Sequence, residues 1–545
     1  MTQLAVQTQT MIDDLKNICA ECGLANTGSE YKIITEVFLY KFLNDKFLYE
    51  VRKKNPRFAS LSFPEIEEEL NKMSEEDFEE IYEGLGARTA KLKREHLLSA
   101  LFNQQNTENF HKTLDKTLTE ISENNQKIFS AKAGDGSLIA LFETISQEVE
   151  NNQEKDDFCK ALIGAISSFS FESAFSEKYD FFSTIFEYLI KDYNKDSGKY
   201  AEYYTPHTIA TIIARILAPN GDKNVKIYDP SAGTGTLLLA LAHQIGENKC
   251  TLYSQDISKK SSELLRLNLV LNNLVSSLPN VIRDDTLLRP RHLNTSKDDL
   301  AQFDYIVSNP PFNMDFSKSR DTLAGEAHSK RFFAGVPNVP DKKKESMAIY
   351  LMFIQHILYS LSSKGKGAIV VPTGFLTAGS GIPLKIRKHI ISHKMLKGVV
   401  SMPSNVFATT GTNVSVIFLD KPKKNDEILL MDASKLGITS KEGGNQRTYL
   451  QPEDIEKIVN TFNSKEKLED FSIVVSPQDI ESKGYSFSAG QYFEIKIDYT
   501  PITPQEFETK LQTFTQELDS LFQEGDELKT KISQELSRIR YATKN

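Results

Sequence analysis

Between residues 225 and 420, short apolar runs alternate with longer amphipathic segments, and this alternation constrains the fold more than any other feature of the chain. The runs "VKIYD", "TLYSQD", "NVIRDD", "DYIVS", "GAIVVP", "LKGVVSM" and "VSVIFLD" are rich in β-branched and aromatic residues and predict strands. Between them "TGTLLLALAHQI", "SKKSSELLRLNLVLNN" and "SMAIYLMFIQHILYSL" predict helices. Strands and helices in alternation give an α/β fold, a mostly parallel, doubly wound sheet with helices on both faces. Ligands of such sheets sit beyond the carboxyl ends of the strands.

The remainder of the 545 residues reads differently. In "EYKIITEVFLYKFLNDKFL" Ile33, Ile34, Val37, Phe38 and Phe42 recur at helical spacing, and "SFPEIEEELNKMSEEDFEEIYEGL" continues with a charged outer face. The expected organisation is a helical N-terminal domain over 1–175, a catalytic α/β domain over 176–425, a mixed continuation over 426–500 and a helix over 501–545. That last stretch carries Phe507, Leu511, Phe514, Leu518, Leu521, Leu528 and Ile532 near heptad spacing, interrupted by Gly525. It predicts half of a helical hairpin or a coiled-coil seam, with packing on the N-terminal helices as the plainer reading.

Composition narrows the function classes. No apolar run reaches the roughly 18 residues of a membrane span, and "MTQLAVQTQTMIDDLK" lacks the basic flank and apolar stretch of a signal peptide. A cytoplasmic protein with no membrane partner is expected. Cys19 and Cys22 form a lone C-x-x-C in a helical pattern with no second ligand pair, so reduced thiols and no metal are expected. A net charge of −9 argues against gripping nucleic acid by bulk electrostatics, though not against local basic patches or a basic partner.

The chemistry concentrates at strand ends. "YDPSAGTGTLLLA" carries Asp229, Pro230, Ser231, Gly233, Thr234 and Gly235 out of the first strand and into a helix. Such a turn lets a ligand approach the backbone closely and offers it helix-start amides, as a nucleotide-like cofactor requires. It lacks both the G-x-G-x-x-G spacing and the Gly-Lys-Ser/Thr of a phosphate loop, which disfavours dinucleotide and ATP. Asp256 ends the second strand, where a carboxylate accepts from a ribose diol or caps the next helix. Asp284 and Asp285 end the third; either can face an adenine amine, and the expected site includes Asp285. After the fourth strand, "YIVSNPPFNM" sets Asn309 at the strand edge, where Pro310 and Pro311 stop the ladder and Phe312 presents a flat ring.

Together these residues resemble the amino-group DNA methyltransferases, which pair Asn/Asp/Ser-Pro-Pro-Tyr/Phe/Trp with an upstream Asp-Pro-x-x-Gly-x-Gly loop. The resemblance is closer still to the methylation subunits of type I restriction-modification systems, which place a Gly-Glu-Phe/Tyr-Tyr/Phe-Thr-Pro segment before the cofactor loop. Here "AEYYTPHTIATII" supplies Glu202, Tyr203, Tyr204, Thr205 and Pro206, with Ala201 in place of the glycine, and Ser231 and Ala232 are mild departures within the loop. "GAIVVPTGFL" and "GVVSMPSNVFATTGTNVSVIFL" resemble later core strands of the same family.

The resemblance implies a Rossmann-like fold dependent on S-adenosyl-L-methionine, and transfer of its methyl group to N6 of an adenine flipped out of double-stranded DNA. It implies that Tyr203, Tyr204, Thr205 and Pro206 border the methionine end of the cofactor. It also implies partners: a specificity subunit, with two methylation subunits to each, and a restriction subunit in the full complex.

An exocyclic amine conjugated to a purine is a weak nucleophile. The side-chain oxygen of Asn309 and the carbonyl of Pro310 would accept its two hydrogens and concentrate the lone pair, Pro311 would brace the turn, and Phe312 would stack on the extruded base. Because the amide end must point the right way, a neighbour has to fix it. A protein-glutamine N5 methyltransferase also uses Asn-Pro-Pro with an aromatic residue, but such enzymes are shorter and lack Tyr-Tyr-Thr-Pro. A non-catalytic assembly subunit would have no need of Asn309 and Phe312. The stretch after the motif, "SKSRDTLAGEAHSKRFFAGVPNVPDKKKES", carries Lys318, Arg320, Lys330, Arg331, Lys342, Lys343 and Lys344. It is expected to close over DNA and meet phosphates, the plainer reading being a solvated charge run.

Overall fold

The computed structural model describes residues 3–86, 89–129, 131–133, 136–151, 154–176, 188, 205–407, 413–421, 426–442, 445–494 and 502–538. They fall into two compact units, Met1–Phe493 and Glu494–Asn545.

The first unit opens with helices, among them α1 (Gln3–Glu21), α2 (Gly28–Lys54), α3 (Phe110–Asn124) and α4 (Glu154–Ser167). Thr27 starts α2 by accepting the amide N–H of Glu30, and Arg52, Lys53 and Lys54 sit in its last turn against the negative helix end. Its buried stripe, including Ile33, Ile34, Val37, Phe38 and Phe42, is the one the periodicity predicted. This part also contributes two short strands, β1 (Ala131–Ala133) and β2 (Leu138–Ile139). Strands of three and two residues are too short to leave a period in the sequence.

From residue 207 the alternation appears as expected: α5 (His207–Leu217), β3 (Val225–Asp229), α6 (Thr236–Ile245), β4 (Cys250–Asp256), α7 (Lys259–Leu271), β5 (Val281–Arg283) and β6 (Phe303–Ser308). There follow α8 (Tyr350–Ser360), β7 (Leu361–Pro372), α9 (Gly381–Ser392), β8 (Leu396–Ser401), β9 (Val414–Asp420), β10 (Ile428–Asp432), the hairpin β11 (Ile438–Glu442) and β12 (Asn445–Tyr449), α10 (Pro452–Ser464) and β13 (Ser472–Val475). Among the described residues β1 to β10 and β13 form one sheet in the order β13-β10-β8-β9-β7-β6-β3-β4-β5-β1-β2.

The pairs β4/β3, β3/β6 and β6/β7 are parallel. Strand β9 runs antiparallel between β7 and β8, with Ile369 opposite Ile417 and Val400 opposite Val416. All of β9 except Asp420 is buried, which is why "VSVIFLD" lacks an alternating face. Because the chain leaves β3 on one side for β4 and β5 and returns on the other side as β6, a crevice opens between the carboxyl ends of β3 and β6. Asp229 and Asn309 stand at those two ends.

The segment after Phe312 is not an open loop. The Met314 amide donates to the Met347 carbonyl at 3.0 Å, closing the segment on itself. Phe316, Leu323, Phe332 and Val336 build a small apolar cluster against Leu287, Met352 and Phe353. Among the described residues no helix is long and apolar enough to cross a membrane.

The second unit contains α11 (Pro504–Arg538), a continuous helix. Gly525 lies inside it, so the expected interruption does not occur: one glycine costs about 1 kcal/mol in a helix interior, too little to stop a helix of 35 residues. Phe507, Leu511, Phe514, Leu518, Leu521, Phe522, Leu528, Ile532 and Leu536 are all exposed.

Candidate active site

The turn after β3 is built by its own polar groups. The Asp229 carboxylate accepts the Ser231 amide at 2.9 Å, and that of Asp256 accepts the Gly233 amide at 2.9 Å and the Ser258 amide at 2.8 Å. Thr286 donates to the Pro230 carbonyl at 2.7 Å, and Asn268 to the Thr234 carbonyl at 3.2 Å. Gly235 precedes α6 with φ 83°, a backbone state that side chains disfavour, and a Cβ there would lie 2.1 Å from Cδ1 of Leu265.

Burial pushes the Asp229 carboxyl up to about 8, the nearby Asp256 adding to the effect. Burial also raises Asp256, against the pull of the backbone amides of Ser258 and Gly233. Asp256 is not the cap of α7: Ser258 is, accepting the Ser261 amide. Asp256 instead holds the turn ahead of that helix, its two oxygens accepting the Gly233 and Ser258 amides, and the residue lines the cleft.

The two carboxylates after β5 separate clearly. Asp284 is held below the usual carboxylate range: burial raises it, and hydrogen bonds from Arg289 and Arg291, at 2.8 and 2.7 Å, more than offset the rise. Asp285 accepts the Leu287 and Leu288 amides through Oδ1 and faces the cleft. The arginines occupy Asp284 and leave Asp285 at the site.

Across the crevice, Asn309 is 8% exposed and its Nδ2 donates to Thr205 Oγ1 at 3.1 Å. Thr205 immediately precedes Pro206, the residue that caps α5. Ser308 and Ser231 share a hydroxyl hydrogen bond of 2.7 Å that ties the end of β6 to the turn after β3. Pro310 is buried, Pro311 faces the cleft, and the half-buried Phe312 ring meets Tyr350 edge-on at 6.2 Å and 75°. A small polar recess brings Thr205, Asp229, Ser231, Thr234 and Asn309 together. The adjoining cleft is lined by Pro230, Gly233, Asp256, Asp285, Asn309 and Pro311. Tyr203 and Tyr204 lie outside the described residues.

The structure adds residues the sequence reading did not single out. Ile257, 62% exposed, stands on the cleft wall one residue past Asp256, an apolar group in solvent where a flat ligand would cover it. Met314, Ile349 and Phe353 form the apolar side of the same cleft. Only Ile257 has a sequence signal, an apolar residue just beyond a strand's acidic end.

A larger cavity of about 580 Å³ lies away from the crevice, between α2 and α7. Lys32 there pairs with Glu143 at 3.2 Å and Glu148 at 2.9 Å, and Lys259 with Glu143 at 3.3 Å and Glu263 at 3.5 Å.

A doubly wound sheet, a glycine turn at its switch point and an amide-proline-proline-aromatic turn opposite define a Rossmann-like methyltransferase of amino groups. The N-6 DNA methylase family matches residues 177–498, and the chain belongs to that family. Its activity is therefore that of an adenine-specific DNA methyltransferase, and the protein-glutamine and non-catalytic readings give way to it. The methylase subunit of the type I restriction enzyme MpnII of Mycoplasma pneumoniae is 27% identical over 530 residues, covering 94% of this chain and 91% of that protein. The methylase subunit of the type I restriction enzyme HindI of Haemophilus influenzae is 25% identical over 378 residues, covering 66% of this chain and 79% of that protein. The crystal structure of a type I restriction-modification methyltransferase subunit from Streptococcus thermophilus superposes with a TM-score of 0.71 at 21% identity, covering 90% of this chain and 100% of that one. This chain is a methylase subunit of the same type.

Proposed function

We infer that the chain transfers a methyl group from S-adenosyl-L-methionine to N6 of an adenine flipped out of double-stranded DNA. The observation that carries this reading is the Asn309 side chain, held through Nδ2 at the end of β6, facing the turn after β3.

The donor set fits the cofactor. Asp229, buried and without an arginine or lysine partner among the described residues, suits an ammonium group in the polar recess. Asp256 and Asp285 offer acceptors to a ribose diol and an adenine amine, and Ile257 an apolar face to the ring. When bound, S-adenosylmethionine supplies an electrophilic methyl on a sulfonium. Asn309 Oδ1 and the Pro310 carbonyl accept the two hydrogens of the incoming amine and turn its lone pair outward. Phe312, steadied by Tyr350, replaces part of the stacking the base loses on leaving the duplex. No strong base is required, since the proton leaves after the methyl has arrived. Pro206 and Thr205 position the near wall, and by resemblance Tyr203 and Tyr204 complete it.

The exposed lysines Lys318, Lys330, Lys342, Lys343 and Lys344 of the folded segment suit DNA phosphates. Arg331 does not: it is buried, its guanidinium donating to the Leu287 carbonyl. Residues 1–175 would form the helical domain, 176–425 the catalytic domain and 426–500 its continuation. The exposed apolar residues of α11 suit a helical partner, here a specificity subunit shared by two methylation subunits, with a restriction subunit joining in the full complex. Labelled methyl transfer to DNA, with and without the specificity protein, tests the reading, using the full chain and one ending at residue 501. Transfer that needs the specificity protein and is lost on truncation is expected. Equal transfer by the truncated chain would contradict the role given to α11.

A further inference from the structure

We propose that Thr205 is the positioning residue of the amine clamp, its hydroxyl holding the Asn309 amide so that Oδ1 rather than the NH2 group meets the incoming amine. The proposal rests on the role given to Asn309 above.

The two ends of an asparagine side chain are almost the same size, and only hydrogen bonding decides which way round they stand. The wrong orientation here would set an NH2 against an NH2, two donors face to face, and the clamp would repel its substrate. Solvent could satisfy either orientation, but Asn309 and Thr205 are 8% and 5% exposed, so the choice falls to the protein. Nδ2 of Asn309 donates to Oγ1 of Thr205 at 3.1 Å, and among the described residues that is the only hydrogen bond its side chain makes.

Both partners are themselves fixed. Thr205 enters α5, whose Ile209, Ile212, Ile213 and Ile216 are buried in the core, and the Pro206 carbonyl accepts the first amides of that helix. On the other side the Ser308 to Ser231 hydrogen bond holds the backbone leading into Asn309. What remains free is the last torsion of the Asn309 side chain, and the Thr205 hydroxyl removes that freedom. A hydroxyl can donate as well as accept; here Nδ2 is the donor, so the Thr205 proton turns away from Asn309, and Asp229 lines the same recess. A carboxylate in place of Asn309 would need no such help, because both of its oxygens accept.

The test compares wild type, Thr205→Val and Thr205→Ser in methyl transfer to DNA with the specificity protein present, alongside calorimetric binding of S-adenosylmethionine. Thr205→Val should lower kcat at saturating S-adenosylmethionine about tenfold, the worth of one buried hydrogen bond; because Thr205 also lines the cofactor recess, its cofactor Kd is measured separately and saturation is set from it. Thr205→Ser should stay within about twofold of wild type in both. In an Asn309→Asp background the valine change should cost less than about twofold. Two results overturn the proposal: an unchanged kcat at saturating cofactor in Thr205→Val, or a serine variant as slow as the valine one. Wild type that methylates no adenine would instead refute the reading of Asn309, and that is seen before any variant is compared.

Discussion

Replacing Gly235 by alanine tests the turn that carries the cofactor site. At φ 83° an alanine adopts a left-handed backbone at a cost of about 1–2 kcal/mol. Its Cβ would stand 2.1 Å from Cδ1 of Leu265, a residue packed into the core, and such overpacking costs roughly 1–3 kcal/mol. The sum, about 2–5 kcal/mol, corresponds to a fall in melting temperature of roughly 2–5 °C for a unit the size of Met1–Phe493, at about 2.1 cal/mol/K of unfolding entropy per residue. The clash can be separated from the backbone cost, because Leu265→Ala removes the obstructing methyl. Urea denaturation of wild type, Gly235→Ala, Leu265→Ala and the double variant should give a favourable coupling of about 1–3 kcal/mol. S-adenosylmethionine affinity should fall in Gly235→Ala, because the loop amides move with the turn. A Gly235→Ala protein with wild-type melting and affinity, or strict additivity in the cycle, would refute the reasoning.

Burial, helped by the nearby Asp256, pushes Asp229 up to about 8, against 3.8 in the unfolded chain, so between those values the folded protein holds a proton that the unfolded chain has lost. This contribution to stability falls as pH rises through the window, and a cationic ligand group beside Asp229 expels the proton, so cofactor binding tightens as pH approaches 8. Calorimetry at pH 7 in buffers of different ionisation enthalpy should show release of about one proton, absent in Asp229→Asn; a binding heat independent of buffer contradicts this. Asp285→Asn should weaken cofactor binding about tenfold with melting unchanged, while Asp284→Asn should lower the melting temperature through loss of the Arg289 and Arg291 pairs; the reverse pattern would contradict the assignment of the two. Changing Lys342, Lys343 and Lys344 to alanine should reduce the slope of log affinity for DNA against log salt by about 0.9 for each phosphate that is no longer neutralised, and an unchanged slope would count against a role in DNA binding.

The sheet was legible because its strands are buried on both faces and its helices are amphipathic, and those two periods differ. The place of β9 was not, since an antiparallel strand between two parallel ones has the same apolar run as its neighbours. The short strands β1 and β2 had no period to read, and the apolar cluster under the basic segment has its partners, Leu287 and Phe353, on either side of that segment. At the site, residue types and order singled out Asp229 and Asp256, which end β3 and β4, and Asn309, the first residue past β6. The contrast between Asp284, bonded by Arg289 and Arg291, and Asp285, on the cleft wall, lies in the geometry, and the hydrogen bond between Thr205 and Asn309 joins residues more than a hundred positions apart. No local pattern records either.

The most direct measurement is transfer of labelled methyl groups from S-adenosylmethionine to DNA by the chain with its specificity protein, followed by nucleoside analysis. The label should appear as N6-methyladenine with wild type and fall by about 100-fold or more with Asn309→Ala. Full transfer by Asn309→Ala, or label recovered on cytosine, would contradict the account.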